Sequence, residues 1–83
     1  MSAGRRYRVD AWKGMDCIAF RSVARASTAI REANHQIIDK GADRIYIYAD
    51  GPAHGLMADW AKTGGWKRVD DPRLEAAIAA DDT

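Results

Sequence analysis

Hydrophobic and polar positions alternate from residue 6 to residue 13. Tyr7, Val9 and Ala11 fall on one side; Arg6, Arg8, Asp10 and Trp12 fall on the other. A period of two is the mark of a strand with one buried face. Lys13-Gly14 then supplies a turn, because glycine takes positive φ without steric cost. Alternation resumes over 15–21, with Ile18 and Phe20 on one face and Cys17, Ala19 and Arg21 on the opposite one. So short a link predicts an antiparallel hairpin.

The period then lengthens. Ala26, Ile30, Ala33 and Ile37 recur at helical spacing and make a narrow apolar stripe, while Arg25, Arg31, Glu32, His35 and Asp39 fall away from it. Ser22 and Ser27 both suit an N-cap; the helix is expected to begin at Ser22 and to end at Gly41, the residue type that favours the left-handed C′ position. Alternation returns over 45–49, where Ile45, Ile47 and Ala49 share a face and Tyr46 and Tyr48 take the other. Pro52 is expected to open a second helix with Leu56, Met57, Trp60 and Ala61 on its apolar side, stopped by Gly64-Gly65. A short fourth strand is expected over 66–69. Asp71-Pro72 then opens a last helix that carries Leu74, Ala77 and Ile78. Residues 1–4 and 80–83 are expected to fray, the latter because Asp81 and Asp82 oppose the helix dipole.

These elements predict a small single α+β domain over 1–83. A strand–helix–strand crossover returns parallel to the strand it left, so the second and third strands are parallel. The hairpin makes the first strand antiparallel to both, and placing it between them gives a mainly antiparallel sheet of order 2-1-3. The first helix should then cover Val9, Ala11, Ile18, Phe20, Ile45 and Ile47. The opposite face would carry Arg6, Arg8, Trp12, Arg21, Tyr46 and Tyr48. Aromatic rings interleaved with arginine on a sheet suit single-stranded nucleic acid, with bases on the rings and guanidinium groups at phosphate. If the two C-terminal helices pack over that face, it becomes a second core layer instead. The hairpin–helix–strand layout resembles many small bacterial and phage domains in architecture, and no residues carry over from that likeness.

Composition changes the picture little. An apolar share of 47% with 30% charged residues is ordinary for a globular chain of 83 residues. Net charge is +1, but residues 1–41 hold eight Lys/Arg against four Asp/Glu, and residues 42–83 hold five against eight. Such polarity suits either a polyanion or self-association. Cys17 is alone, so no disulfide forms within the chain. No apolar run approaches the roughly 20 residues of a membrane span, and a cytoplasmic protein is expected.

Candidate chemistry is sparse. Asp50 and His54 would lie near a strand end and a helix N-terminus, where an acid–base pair could sit, but a turn Asp followed by a first-turn His explains them as well. His35 is expected to be solvated within reach of Arg31 and Asp39, Cys17 to be a partly buried inert thiol, and Asp70 and Asp71 to serve as caps. Arg5, Arg6 and Arg8 beside Tyr7 form the densest basic cluster. No ligand spacing suggests a metal, and no motif suggests a cofactor. The first functional expectation is therefore a non-enzymatic binding or regulatory module that contacts a protein partner, alone or as a homodimer. Nucleic-acid binding through the Arg/aromatic face is the alternative.

Overall fold

The computed structural model describes residues 6–50 and 55–81, apart from the side chain of Asp50. In chain order its elements are β1 (Arg6–Lys13), β2 (Asp16–Val23), α1 (Ala26–Lys40), β3 (Arg44–Asp50), β4 (Gly55–Ala61), β5 (Gly65–Val69) and α2 (Pro72–Asp81). The strands form one sheet in the order β2-β1-β3-β4-β5, with every neighbouring pair antiparallel. The expected 2-1-3 arrangement is thus present as one side of a wider sheet.

Both helices lie on the same face of that sheet. α1 packs over β1 and β2, while α2 packs beside α1 and against β5. Beneath them lie Tyr7, Val9, Ala11, Ile45, Ile47 and Ala58, closed from above by Ala29, Ile30, Ala33 and Leu74. The alanines of α1 let the helix axis approach the strands, so branched residues on β1 and β3 fill the space between. Gly41 ends α1 in the left-handed conformation at φ 72°. The Ala42 amide then donates to the Gln36 carbonyl at 3.0 Å, which closes the helix end.

α2 is fixed at its start by a buried carboxylate. Asp71 is 3% exposed, and its Oδ1 accepts from the amides of Arg73 at 2.8 Å and Leu74 at 3.3 Å. The Tyr7 hydroxyl donates to Asp71 Oδ2 at 3.0 Å. One side chain therefore caps the helix and ties it to the sheet. At the far end, Asn34 of α1 donates to Asp81.

Four expectations need correction. The segment read as a helix after Pro52 is the strand β4, from Gly55 onward. Its pairing with β3 slips between Ile47 and Tyr48, which leaves Met57 as an extra residue. That bulge masks the period of two, so Leu56, Met57, Trp60 and Ala61 imitate a helical stripe. Gly64 and Gly65, with φ of 121° and 72°, turn a hairpin between β4 and β5 rather than stopping a helix. The short strand expected over 66–69 is β5.

α1 begins at Ala26 after Arg25, with no side-chain cap, so Ser22 does not start it. The β1–β2 ladder runs on to pair Tyr7 with Val23, and this holds Ser22 in the strand opposite Arg8. The phase of β2 is also reversed. Ala19 pairs with Ala11 and Arg21 with Val9, so Ala19, Arg21 and Val23 face α1, whereas Phe20 pairs with Asp10 on the other side. Phe20 is 63% exposed and Ile18, the bulge residue, 38% exposed, so neither is sealed beneath the helix. Finally, Cys17 is exposed rather than partly buried, because β2 is an edge strand and Cys17 sits near its turn.

Candidate functional site: the uncovered sheet face

With both helices on one side, no helix among the described residues covers the other. The strand registers place its side chains in rows. One row crosses all five strands as Phe20, Asp10, Tyr46, Asp59 and Arg68; the next runs Ser22, Arg8, Tyr48 and Leu56; a third runs Cys17, Trp12, Arg44 and Ala61.

Arg8 is the centre of this face. Its guanidinium lies 4.6 Å from the Tyr48 ring centroid and 5.0 Å from that of Phe20, so the planar cation is held between two rings. Each such contact contributes about 0.5–1 kcal/mol when exposed, and more when desolvated. Arg8 Nε also lies 3.3 Å from Asp10 Oδ1, close enough for an ion pair but not aligned for a hydrogen bond. Arg44 lies 5.7 Å from the Tyr46 ring, and the Tyr46 and Tyr48 centroids are 6.5 Å apart at 38°. Each tyrosine is thus flanked by a guanidinium and by the other ring.

The carboxylates give the face its particular chemistry. Asp10 is 8% exposed, and Asp59 is half-buried on the far side of Tyr46. Among the described residues, neither Asp10 Oδ1 nor Asp59 Oδ1 accepts a hydrogen bond, although both atoms are buried. A buried acceptor without a hydrogen bond costs about 1–3 kcal/mol, and at Asp10 the Arg8 cation 3.3 Å away offsets part of that cost. The Tyr48 phenol feels the same environment. Burial raises its pKa above the ordinary 10.0, the Asp10 carboxylate raises it further, and the Arg8 cation partly offsets both. Tyr48 therefore keeps its proton and remains a donor.

The sequence-predicted residues Arg6, Arg8, Trp12, Tyr46 and Tyr48 do come together on this face. Arg21 does not. It faces α1, with Nε 3.6 Å from Glu32 Oε2, because the β2 register turns Phe20 rather than Arg21 toward Arg8. Sequence reasoning left out Phe20, Arg44, Asp10, Asp59 and Arg68. Asp10 and Arg44 alternate in phase with Arg8 and Tyr46, so the same periodicity signals them. Asp59 and Arg68 were hidden because β4 read as a helix.

Elsewhere, His35 lies on the exposed side of α1, as expected, and its Nδ1 pairs at 2.6 Å with Oδ2 of Asp39, one of the two residues within i,i+4 reach. Cys17 Sγ donates to the Ala19 carbonyl at 3.4 Å. The Asp50–His54 pair and Arg5 fall outside the described residues, Asp50 by its side chain. Among the described residues, no group of three His, Cys, Asp or Glu gathers as a metal site would require. No helix among them is long and apolar enough to cross a membrane.

Comparison with protein-family models, with curated proteins and with solved structures finds no match to this chain.

Proposed function

We propose that this chain is a non-enzymatic binding module that docks a protein partner on its uncovered sheet face. The observation that carries this reading is the row Asp10–Tyr46–Asp59: two carboxylates on either side of a ring, whose buried Oδ1 atoms accept no hydrogen bond among the described residues. A partner that seats a lysine or an arginine over Tyr46 places its cation between the two carboxylates while it buries the ring. Arg, Tyr and Trp are also the side chains that dominate binding energy at the centres of protein interfaces. Arg8 is held in place by Phe20 and Tyr48, so little side-chain freedom is lost on docking.

Nucleic acid is the second reading. Arg6, Arg8, Arg44 and Arg68 outnumber Asp10 and Asp59, and flat guanidinium planes accept stacked bases as rings do. The protein reading is preferred because the two carboxylates sit in the middle of the face and repel phosphate. The Arg8 guanidinium also occupies the ring of Tyr48 on which a base would stack.

The deciding experiment is affinity capture with quantitative mass spectrometry, run on the wild type and on Arg8→Ala, Tyr46→Ala and Ile38→Glu. Ile38 is 78% exposed on the outer side of α1 and serves as the control. The proposal expects a partner that Ile38→Glu retains and that both face variants lose at least about 30-fold, in line with about 2 kcal/mol for a central interface residue. Capture indifferent to both face variants overturns it. So does salt-sensitive binding to single-stranded oligonucleotides that Trp12→Ala abolishes, since phosphate contacts weaken steeply with salt.

A further inference from the structure

The two edges of the sheet differ in how they are guarded. β5 spans five residues, starts at a glycine and presents Lys67 and Arg68. Brevity and charge of this kind discourage strand addition. β2 spans eight residues, holds neither proline nor lysine, and is exposed along nearly all its length. Of the four exposed large apolar side chains among the described residues, Met15, Ile18 and Phe20 lie on it or at its turn.

We propose that the β2 edge pairs antiparallel with the β2 edge of a second copy of this chain, so that one sheet runs through both copies. The strand is self-complementary in that arrangement. Against β1, its residues occupy successive levels as Asp16, Cys17, the bulged pair Ile18-Ala19, Phe20 and Arg21. A two-fold axis through the bulge sets Asp16 opposite Arg21 of the other copy and Cys17 opposite Phe20. The bulge makes this pairing work. By inserting Ile18, it puts Asp16 and Arg21 together on the helix-bearing face, and Cys17 and Phe20 together on the open face.

Directly opposed residues of an antiparallel pair share a face, so the charged pairs meet on one side and the apolar pairs on the other. Each occurs twice by symmetry. Arg21 is poised for it, since its Nε is loosely placed 3.6 Å from Glu32 and its side chain is 66% exposed. Beside the seam, a groove of about 700 Å³ opens between β2 and α1, lined by Lys13, Ile18, Ala19, Arg21, His35 and Gln36. The second copy's Ile18 and Ala19 arrive at its mouth.

This inference stands apart from the partner on the sheet face: edge variants test one and face variants the other. The experiment is sedimentation velocity on the full chain over a wide concentration range, with D16R, R21D, the double variant and an equimolar mixture of the two single variants. The wild type is expected to dimerise. D16R alone sets arginine against Arg21 and R21D alone sets aspartate against Asp16, and each should weaken association about tenfold. Both the double variant and the mixture of single variants should restore it, because opposite charges then face each other at both positions. Thermal melts check that each variant is folded; Ile18→Lys, at the bulge on the proposed axis, leaves the charged pair and the face residues intact and should also weaken the dimer. A wild type that stays monomeric throughout overturns the proposal. So does a dimer indifferent to D16R and R21D, or a mixture that fails to recover.

Discussion

The two faces of one sheet use the same strands for opposite ends. On the helix side, β1 and β3 present Tyr7, Val9, Ala11, Ile45 and Ile47, all at most 1% exposed and sealed by small residues of α1. On the other side, the alternate positions of those strands present Arg8, Asp10, Tyr46 and Tyr48, held by cation–ring contacts and left uncovered. Burial of apolar area stabilises the first face without directionality. The second is ordered by contacts that contribute little each, and two of its buried carboxylate oxygens accept no hydrogen bond among the described residues. On the binding reading proposed above, affinity would be concentrated where the fold has left polar groups incompletely satisfied, and stability one residue away.

The sharpest way to break that contrast is to truncate neighbours on opposite faces. Ile47 is 0% exposed, and Ile47→Ala should cost about 2–5 kcal/mol through lost transfer energy and the cavity left behind. Tyr46→Ala, one residue away, should cost about 1 kcal/mol, since its ring is only half-buried and its main contacts are Arg44 and Tyr48. Urea denaturation of both variants measures the difference. Equal costs would mean that the uncovered face is part of the core, and the contrast would be wrong.

A smaller effect is expected where the covered face is fastened. Asp71→Ala removes the cap of α2 and leaves the buried Tyr7 hydroxyl without that acceptor, and should cost about 1–3 kcal/mol. Tyr7→Phe removes only the hydroxyl contact and should cost about 1 kcal/mol. Amide exchange should show the first variant loosening α2 well before the strands, and the second leaving α2 protected. The cap is local, whereas the strand ladder does not depend on it.

The contrast between faces was partly legible in the chain. Alternation in β1 and β3 is uninterrupted, so Tyr7, Val9 and Ala11 separated cleanly from Arg8 and Trp12, and Ile45 and Ile47 from Tyr46 and Tyr48. What hid the rest was the β-bulge. In β4, the extra residue Met57 breaks the period of two and lets the segment pass for a helix, which removed Asp59 and the β5 pairing beyond it from view. In β2, the hairpin register decides the phase, and hydrophobicity pointed the wrong way: Phe20 is larger than Ala19, yet Ala19 faces α1 because the helix lies close there and Arg8 offers Phe20 a partner. Asp71 as a cap was readable from Asp-Pro at a helix start, but its bond to Tyr7, sixty-four residues away, was not. Local chemistry survives in a sequence; register and bulges are settled by the partner strand.

The finest test of the open face is the titration of Tyr48. Burial is the larger cause of its raised pKa and the Asp10 carboxylate the next, so the folded protein holds the phenolic proton more tightly than the unfolded chain does. The stability this contributes is complete below the unfolded tyrosine value near 10.0. It declines as pH rises through the raised folded value, because the unfolded chain then releases a proton that the folded one retains. Tyrosine absorbance at alkaline pH, compared with Tyr48→Phe, isolates the transition. Asp10→Asn should lower its midpoint while leaving it above the ordinary value, since burial persists, and should flatten the alkaline loss of stability. A midpoint unmoved by Asp10→Asn would mean that the carboxylate is screened from the ring. The face would then be wetter than its buried oxygens suggest, and a cation from the proposed partner would gain correspondingly less beside the carboxylates.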